Sequence, residues 1–316
     1  MTPSLPVVRV RLLVNPVASS MTERRRAAIA AAIGARHTVE TVLTTARGDA
    51  RDLARAGAAD GVDVVVVAAG DGTLNEAANG LVGTETALAP LPGGSTNVFA
   101  RAVGFGNRID RATERLLAAL DRGGIRRVGV GVADGRYFLF HLGAGFDAAV
   151  VERMERNPGV KRYAAHPAFA LQTLRVLMSG YDRHEPALHV APPDDVDGAH
   201  DSFFTVVSNV APYTYVGPRR MLLTSAADLD RPLAVTSLTR FAMRDVAGAA
   251  GSSVGRAVRL GRDPHVVQLH DVRALRLTAR NPDRPFPWQV DGDYLGTVDA
   301  LDVRYVPEAL SVVLPA

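Results

Sequence analysis

VDVVVVAAGDGTLNEAANGL, residues 62–81, is the stretch on which the fold turns. Its run from Val62 to Ala68 is apolar and largely β-branched, the composition of a strand buried on both faces of a parallel sheet. The run empties into Gly70-Asp71-Gly72-Thr73, and Leu74 to Leu81 has helical composition. A strand, a glycine turn and a helix start set backbone N–H groups and the positive end of the helix dipole before an anion. Gly70 and Gly72 can take positive φ and put no Cβ in the way of a close ligand. Asp71 is the odd member, because a carboxylate beside phosphates repels them unless it holds a cation or a donor. The loop reads as a nucleotide–metal site or, more plainly, as a tight turn that contains an aspartate.

A second loop resembles the first. Residues 87–101, ALAPLPGGSTNVFAR, give a short apolar strand, the turn Pro92-Gly93-Gly94-Ser95-Thr96-Asn97, and a helix opening at Val98. Ser95, Thr96 and Asn97 are N-capping residue types. In a parallel sheet such turns gather at the carboxyl ends of the strands, where ligands bind, so two of them can hold one nucleotide.

Outward from these loops, strand-like segments Val7–Asn15, Thr38–Leu43, Val62–Ala68 and Ala87–Leu91 alternate with helix-like Glu23–Ala35, Asp49–Gly57 and Leu74–Leu81, and Asp110–Arg122 follows. This order predicts an α/β first domain, residues 1–125, with a parallel sheet flanked by helices. After Gly123-Gly124 the texture changes. Strand-like runs at Arg127–Ala133, Tyr137–Leu142, Ala187–Ala191, Phe203–Ser208, Leu233–Leu238, Val266–His270, Leu275–Ala279 and Leu301–Val306 predict a mainly antiparallel β domain over 126–306. Helical insertions are expected at Tyr163–Met178 and Arg240–Ala250, and Leu310–Leu314 reads as a separate final strand. The nucleotide cleft is expected between the two domains.

Composition bounds the chemistry. At 316 residues with 47% hydrophobic and 22% charged, the chain is an ordinary globular protein of two-domain size. No apolar run approaches the roughly 20 residues of a membrane span. The start, MTPSLPVVRVRLLVNP, carries arginines inside its apolar stretch and reads as a strand rather than a signal peptide. A cytoplasmic protein is expected, with any membrane contact peripheral. Zero cysteines exclude disulfides, thiolate metal sites and cysteine nucleophiles. Lys161 is the one lysine, so neither loop has the phosphate-cradling lysine of a Walker-type site. Cationic help must come from arginine or a metal. His141 and His166 lack a partner at ligand spacing, and no nucleic-acid-binding motif is present.

Gly70-Asp71-Gly72-Thr73-Leu74-Asn75-Glu76 resembles the Gly-Gly-Asp-Gly-Thr signature of the diacylglycerol kinase catalytic domain family, which includes bacterial lipid kinases and sphingosine kinases. In looser form it is also similar to loops of NAD kinases and phosphofructokinases. Pro92 to Arg101 is similar to that family's second loop, and Asn15-Pro16, Gly143-Ala144-Gly145-Phe146-Asp147-Ala148 and Val290-Asp291-Gly292-Asp293 match further pieces in family order.

The resemblance implies an ATP- and Mg²⁺-dependent kinase. Its acceptor would be the hydroxyl of a diacylglycerol-like lipid at a membrane surface, bound by the second domain. It implies a nucleotide cradle of Asn15, Thr44, Gly70, Asp71, Gly72, Thr73, Asn75 and Ser95, with Asp293 as the base and Asp71 orienting phosphates or the acceptor. Asp230 is the candidate metal ligand, and the strand in 307–316 is implied to return to the first domain. Other readings stay open: the same architecture with a sphingoid base, another lipid alcohol or NAD as acceptor, or an inactive nucleotide-binding regulator. Homo-oligomerisation is open too.

The chain departs from the family pattern at several points. Ala69 stands for the first glycine of the signature, so a slightly different turn is expected there. Ser95 replaces Thr. Val98 stands where relatives commonly carry Asp, and no counterpart is found near Val128 of an Asp that relatives often carry there. Asp230-Arg231-Pro232-Leu233 only partly matches the Asp-Gly-x-Leu stretch, and Tyr213 to Gly217 replace a glycine-rich turn.

Overall fold

A computed structural model describes residues 7–18, 20–155, 185–193, 195–240 and 264–315. The chain divides into two units, Met1–Gly129 with Pro307–Ala316, and Val130–Val306. The helix expected at Tyr163–Met178, that at Arg240–Ala250 beyond its first residue, Lys161 and His166 lie outside the described residues.

The first unit alternates β1 (Arg9–Val14), α1 (Glu23–Gly34), β2 (Thr38–Leu43), α2 (Asp49–Ala59), β3 (Val64–Ala69), α3 (Asp71–Leu81), β4 (Ala87–Pro92), α4 (Val98–Ala102) and α5 (Ile109–Asp121). The strands lie parallel in the order β2-β1-β3-β4. Every residue of β3 and β4 is buried, which is why these strands read as unbroken apolar runs rather than as alternation. Helices α1 and α5 cover one face and α2 and α3 the other. Arg11, an arginine inside β1, is buried but paired, donating to Glu40 Oε2 (2.8 Å) and Asp60 Oδ2 (2.8 Å).

The second unit begins within β5 (Ile125–Ala133) and continues through β6 (Arg136–Phe138), β7 (His141–Gly145), α6 (Phe146–Glu155), β8 (Leu188–Ala191), β9 (His200–Ser202), β10 (Phe204–Ser208), β11 (Thr214–Val216) and β12 (Arg219–Met221). Then come β13 (Leu233–Leu238), β14 (Val266–Val272), β15 (Ala274–Ala279), β16 (Phe286–Val290), β17 (Asp293–Val298) and β18 (Ala300–Val313). One antiparallel sheet runs β14-β13-β10-β7-β16-β17; in a second, the start of β18, β15, β8 and β9 are adjacent. Leu142, Val207, Val235 and Trp288 of the first sheet join Leu188, Val190, Leu277 and Val303 of the second in one apolar core.

Three expected elements change shape. The segment Tyr137–Leu142 is not one strand: it breaks between Phe138 and His141, where the backbone amides of 139–141 turn to a side chain. Leu301–Val306 and Leu310–Leu314 are one strand, because Pro307 is absorbed by an irregularity with Glu308 at φ 47°. The end of β18 belongs to the first unit, where Val312 pairs parallel with Leu88 and Leu314 N–H donates to the Gly124 carbonyl (2.8 Å).

Helices α2 and α3 cross tightly at Gly80, where a Cβ would run into the backbone carbonyl oxygen of Arg51. Gly80→Ala gains about 1 kcal/mol of helix propensity. The carbonyl cannot rotate away as a side chain would, and overpacking costs about 1–3 kcal/mol. A net loss of stability is expected in urea unfolding, opposite in sign to what propensity alone dictates.

Candidate functional site

The strand order reverses between β1 and β3, and the turns after β1, β3 and β4 all leave the carboxyl edge of the parallel sheet. Such a reversal is where open α/β sheets bind ligands. Helix α3 starts at Asp71, three residues before the expected Leu74, and its first intrahelical bond runs from Leu74 N–H to the Gly70 carbonyl (3.1 Å). The N–H groups of Asp71, Gly72 and Thr73 precede that bond and are available to an anion in the sense of a helix N-terminus.

Neither glycine of the first loop has positive φ, and close approach is required at Gly93 and Gly94 of the second loop. Gly70 is extended (φ −84°, ψ 175°), and Gly72 is not among the residues with positive φ. A Cβ on Gly94 would lie 2.6 Å from Gly70 Cα, and one on Gly93 would lie 2.7 Å from Ala69 N. Ala69 itself is the last residue of β3, paired with Pro92, so the substitution for glycine there changes no turn.

Asp71 binds the second loop. Its carboxylate accepts from Val98 N–H (2.9 Å) and Phe99 N–H (3.2 Å), the first N–H groups of α4. The expected capping by the Ser95-Thr96-Asn97 side chains does not occur: Asn97 occupies the N-cap in the left-handed region (φ 52°) without a side-chain cap. Its amide instead closes the loop on itself, accepting from Gly94 N–H (2.8 Å) and donating to Asn107 Oδ1 (2.7 Å). Burial raises the Asp71 carboxyl above its ordinary range, opposed by the Val98, Phe99 and Asn97 amides and by the charge of Arg101. Two further ties join the turns. Asn15 Nδ2 donates to Thr73 Oγ1 (3.1 Å), and Ser20 Oγ donates to the Gly93 carbonyl (2.8 Å).

Of the sequence-derived cradle, Asn15, Gly70, Asp71, Gly72, Thr73 and Ser95 thus stand on neighbouring turns of one sheet edge, with Ser95 exposed. Thr44 follows β2 and is buried, its N–H on the Val14 carbonyl (3.0 Å). Asn75 is 1% exposed and its Oδ1 accepts from Asn79 Nδ2 (3.1 Å), so it faces the packed side of α3.

Asp293 stands in the second unit. Val290-Asp291-Gly292-Asp293 is a two-residue β-hairpin turn joining β16 to β17, with Asp291 (φ 49°) and Gly292 (φ 83°) both left-handed. That is the geometry an Asp-Gly pair favours. Asp293 opens β17, and Arg136 Nη2 approaches its Oδ2 at 3.5 Å. Asp230 lies on an exposed turn, its N–H on Asp228 Oδ1 (3.0 Å). Among the described residues no group of three or more His, Asp or Glu is placed to hold a metal ion.

Gln289, which the sequence analysis does not single out, and Asp147, Tyr213 and His141, named there without these contacts, surround the acidic turn. The buried Asp291 carboxylate accepts from the N–H groups of Leu139 (2.7 Å), Phe140 (3.0 Å) and His141 (3.0 Å). Gln289 Oε1 accepts from Gly292 N–H (2.8 Å), and Gln289 Nε2 donates to Asp147 Oδ2 (2.8 Å). Tyr213 O–H donates to Asp147 Oδ1 (2.5 Å), and the His141 ring lies 4.6 Å from the Tyr213 ring. The signal for Gln289 in sequence is a lone amide within the apolar run Phe286 to Val290.

Residues 9–132 match the family model described as the diacylglycerol kinase catalytic domain. The diacylglycerol kinase of Bacillus subtilis (strain 168) is 37% identical over 110 residues, 33% of this chain and 34% of that protein. A protein of Pseudomonas aeruginosa (strain UCBPP-PA14) named "Probable lipid kinase YegS-like" is 36% identical over 154 residues, 48% of this chain and 49% of that one. These matches thus span about a third to a half of the relatives' lengths. The crystal structure of a diacylglycerol kinase from Bacillus anthracis str. Sterne superposes with a TM-score of 0.70 at 16% identity, covering 97% of this chain and 96% of that one. Among the described residues no helix is long and apolar enough to cross a membrane.

Asp71→Ala removes the acceptor for two N–H groups at the start of α4, and a lost cap costs roughly 0.5–2 kcal/mol. A corresponding drop in urea stability is expected, with faster amide exchange at Val98 and Phe99. His141 is held neutral by burial, its pKa lowered to about 4 against an ordinary 6.5, with Asp147 opposing. Between those values the unfolded chain binds the proton and the folded chain does not, so this group makes stability fall as pH drops from about 6.5 to 4 and has no effect above. His141→Phe is expected to flatten that limb in urea midpoints measured from pH 7 to 4.

Proposed function

We propose, from the match of residues 9–132 to the diacylglycerol kinase catalytic domain model, that the chain is a lipid kinase moving the γ-phosphate of ATP to the hydroxyl of a diacylglycerol-like lipid. The observation that carries this reading is the meeting of the β3 and β4 turns at the carboxyl edge of the sheet, beside the β1 turn, where strand order reverses. Gly70, Gly93 and Gly94 keep that edge free of Cβ atoms, and the first N–H groups of α3 open onto it. Phosphates need just this: backbone donors, a helix dipole and close approach. With Asp71 already bound to two amides of α4, its charge is partly answered before an anion arrives.

In this reading Asn15, Gly70 to Thr73 and Ser95 hold the nucleotide. Phosphoryl transfer then needs an acceptor oxygen in line and a base for its proton. Asp293 takes the base's role, on a hairpin turn whose backbone is fixed by Asp291 and Gln289. In this reading a Mg²⁺ would arrive on the nucleotide, bound chiefly by its phosphates. Such an ion would neutralise phosphate charge. Asp230 lies on an exposed turn, and among the described residues no group of three or more His, Asp or Glu is placed to hold a metal ion there. The acceptor lipid would be met at a membrane surface by peripheral contact.

The assay is transfer of label from [γ-³²P]ATP with Mg²⁺ to lipids in mixed micelles. Labelled phosphatidic acid is expected from diacylglycerol, and Asp293→Asn should lower kcat by roughly 10²-fold or more, the usual contribution of a general base, while ATP still binds. Label on another lipid alcohol replaces the acceptor. ATP binding with no labelled lipid points instead to a nucleotide-binding regulator, the reading favoured by Val98 in place of a family carboxylate and by the lack of an Asp near Val128.

A further inference from the structure

We infer that Tyr213 is a positioning residue for the Asp291–Gly292–Asp293 turn, acting through Asp147 and Gln289. The catalytic consequence rests on the reading of Asp293 as base; the positioning itself does not.

The chain of contacts is continuous and has one direction. Gly292 N–H donates to Gln289 Oε1 at 2.8 Å, which fixes which end of the amide faces the turn. The other end, Nε2, must then donate, and it meets Asp147 Oδ2 at 2.8 Å. A carboxylate so engaged accepts with its second oxygen, and Tyr213 O–H reaches Asp147 Oδ1 at 2.5 Å. The relay thus runs unbroken from the Tyr213 hydroxyl through Asp147 and Gln289 to the Gly292 amide.

The relay is also boxed in. Gln289 is 0% exposed, and Asp147 and Tyr213 are buried. Gly143 faces Asp147 so closely that a Cβ there would overlap the carboxylate and reach Gln289 Nε2. The Tyr213 ring lies against His141, whose N–H and carbonyl both bond Asp291, so the tyrosine touches the turn's supports from two sides. Burial and the neighbouring carboxylate push the Tyr213 hydroxyl well above its ordinary range, which keeps it a donor. Asp293 is the residue immediately after the amide this relay holds.

Tyr213→Phe keeps the ring and deletes only the O–H. Amide exchange at Gly292 is expected to accelerate roughly tenfold, the scale of one buried hydrogen bond to a charged group, with Val206 of β10 unchanged. In the mixed-micelle assay kcat should fall by a similar factor, with KM for ATP unaltered. The loss should disappear in an Asp293→Asn background, because a displaced base and an absent base are then the same. Gln289→Met, which cuts the relay next to the turn, should reproduce the exchange result and serves if Tyr213→Phe does not fold. Unchanged exchange at Gly292 in either folded variant overturns the inference, as does a kcat loss of equal size with and without Asp293. Full activity in Asp293→Asn alone removes the base assignment and leaves Gly292 exchange to decide Tyr213's role.

Discussion

At the carboxyl edge of the first sheet, two backbones come close at Gly70 and Gly94, and a Cβ on Gly94 would lie only 2.6 Å from Gly70 Cα. That approach brings the start of α4 within reach of Asp71, whose carboxylate bridges two of its N–H groups. The bridge answers orphan donors that a five-residue helix has little other means to satisfy. It also ties the turn after β3 to the turn after β4, so the edge behaves as one piece rather than two loops. The cost is a desolvated carboxyl group, and the fold meets it with backbone donors and the charge of Arg101. A surface that receives phosphates on backbone donors needs such stiffness, since donors that reorganise on binding lose what they contribute.

The second unit solves a related problem by another route. Its acidic turn is a left-handed pair, and Asp291 occupies a region of φ that non-glycine residues enter at a cost. Three amides from residues 139–141 converge on its carboxylate and hold it there. The price of that arrangement is the interruption between β6 and β7, since those amides are no longer available to a neighbouring strand. Local strand continuity has been exchanged for a fixed turn.

What could be read from sequence follows from how far each interaction reaches. The run at β3 and the alternation of strands and helices in the first unit are written in local composition, and the element boundaries there fall within a few residues of those seen. The start of α3 was hidden because glycines at 70 and 72 look like a turn, whereas a helix's first turn accepts them. Asp71's partners lie 27 and 28 residues away, so no local pattern could show that the aspartate caps another helix. The hairpin β16–β17 did carry its signal, Asp291-Gly292 between apolar strands, but Pro287 and the single tryptophan masked the alternation. Tyr213 and Asp147 are 66 residues apart, and only the folded sheet brings them together.

The ending of β18 has a consequence for how the protein is made. The first unit consists of residues 1–129 and 307–316, so a ribosome releases its opening 129 residues long before the strand that flanks β4 exists. During that interval β4 is an uncovered sheet edge of wholly buried composition, the kind of surface that invites mispairing. The Gly83 amide has no Ala309 carbonyl to meet, and Gly124 has no Leu314. Completion of the first unit is thereby deferred until the second unit has been translated, and a nascent chain stalled in between would carry the turns after β3 and β4 without the edge that closes their sheet.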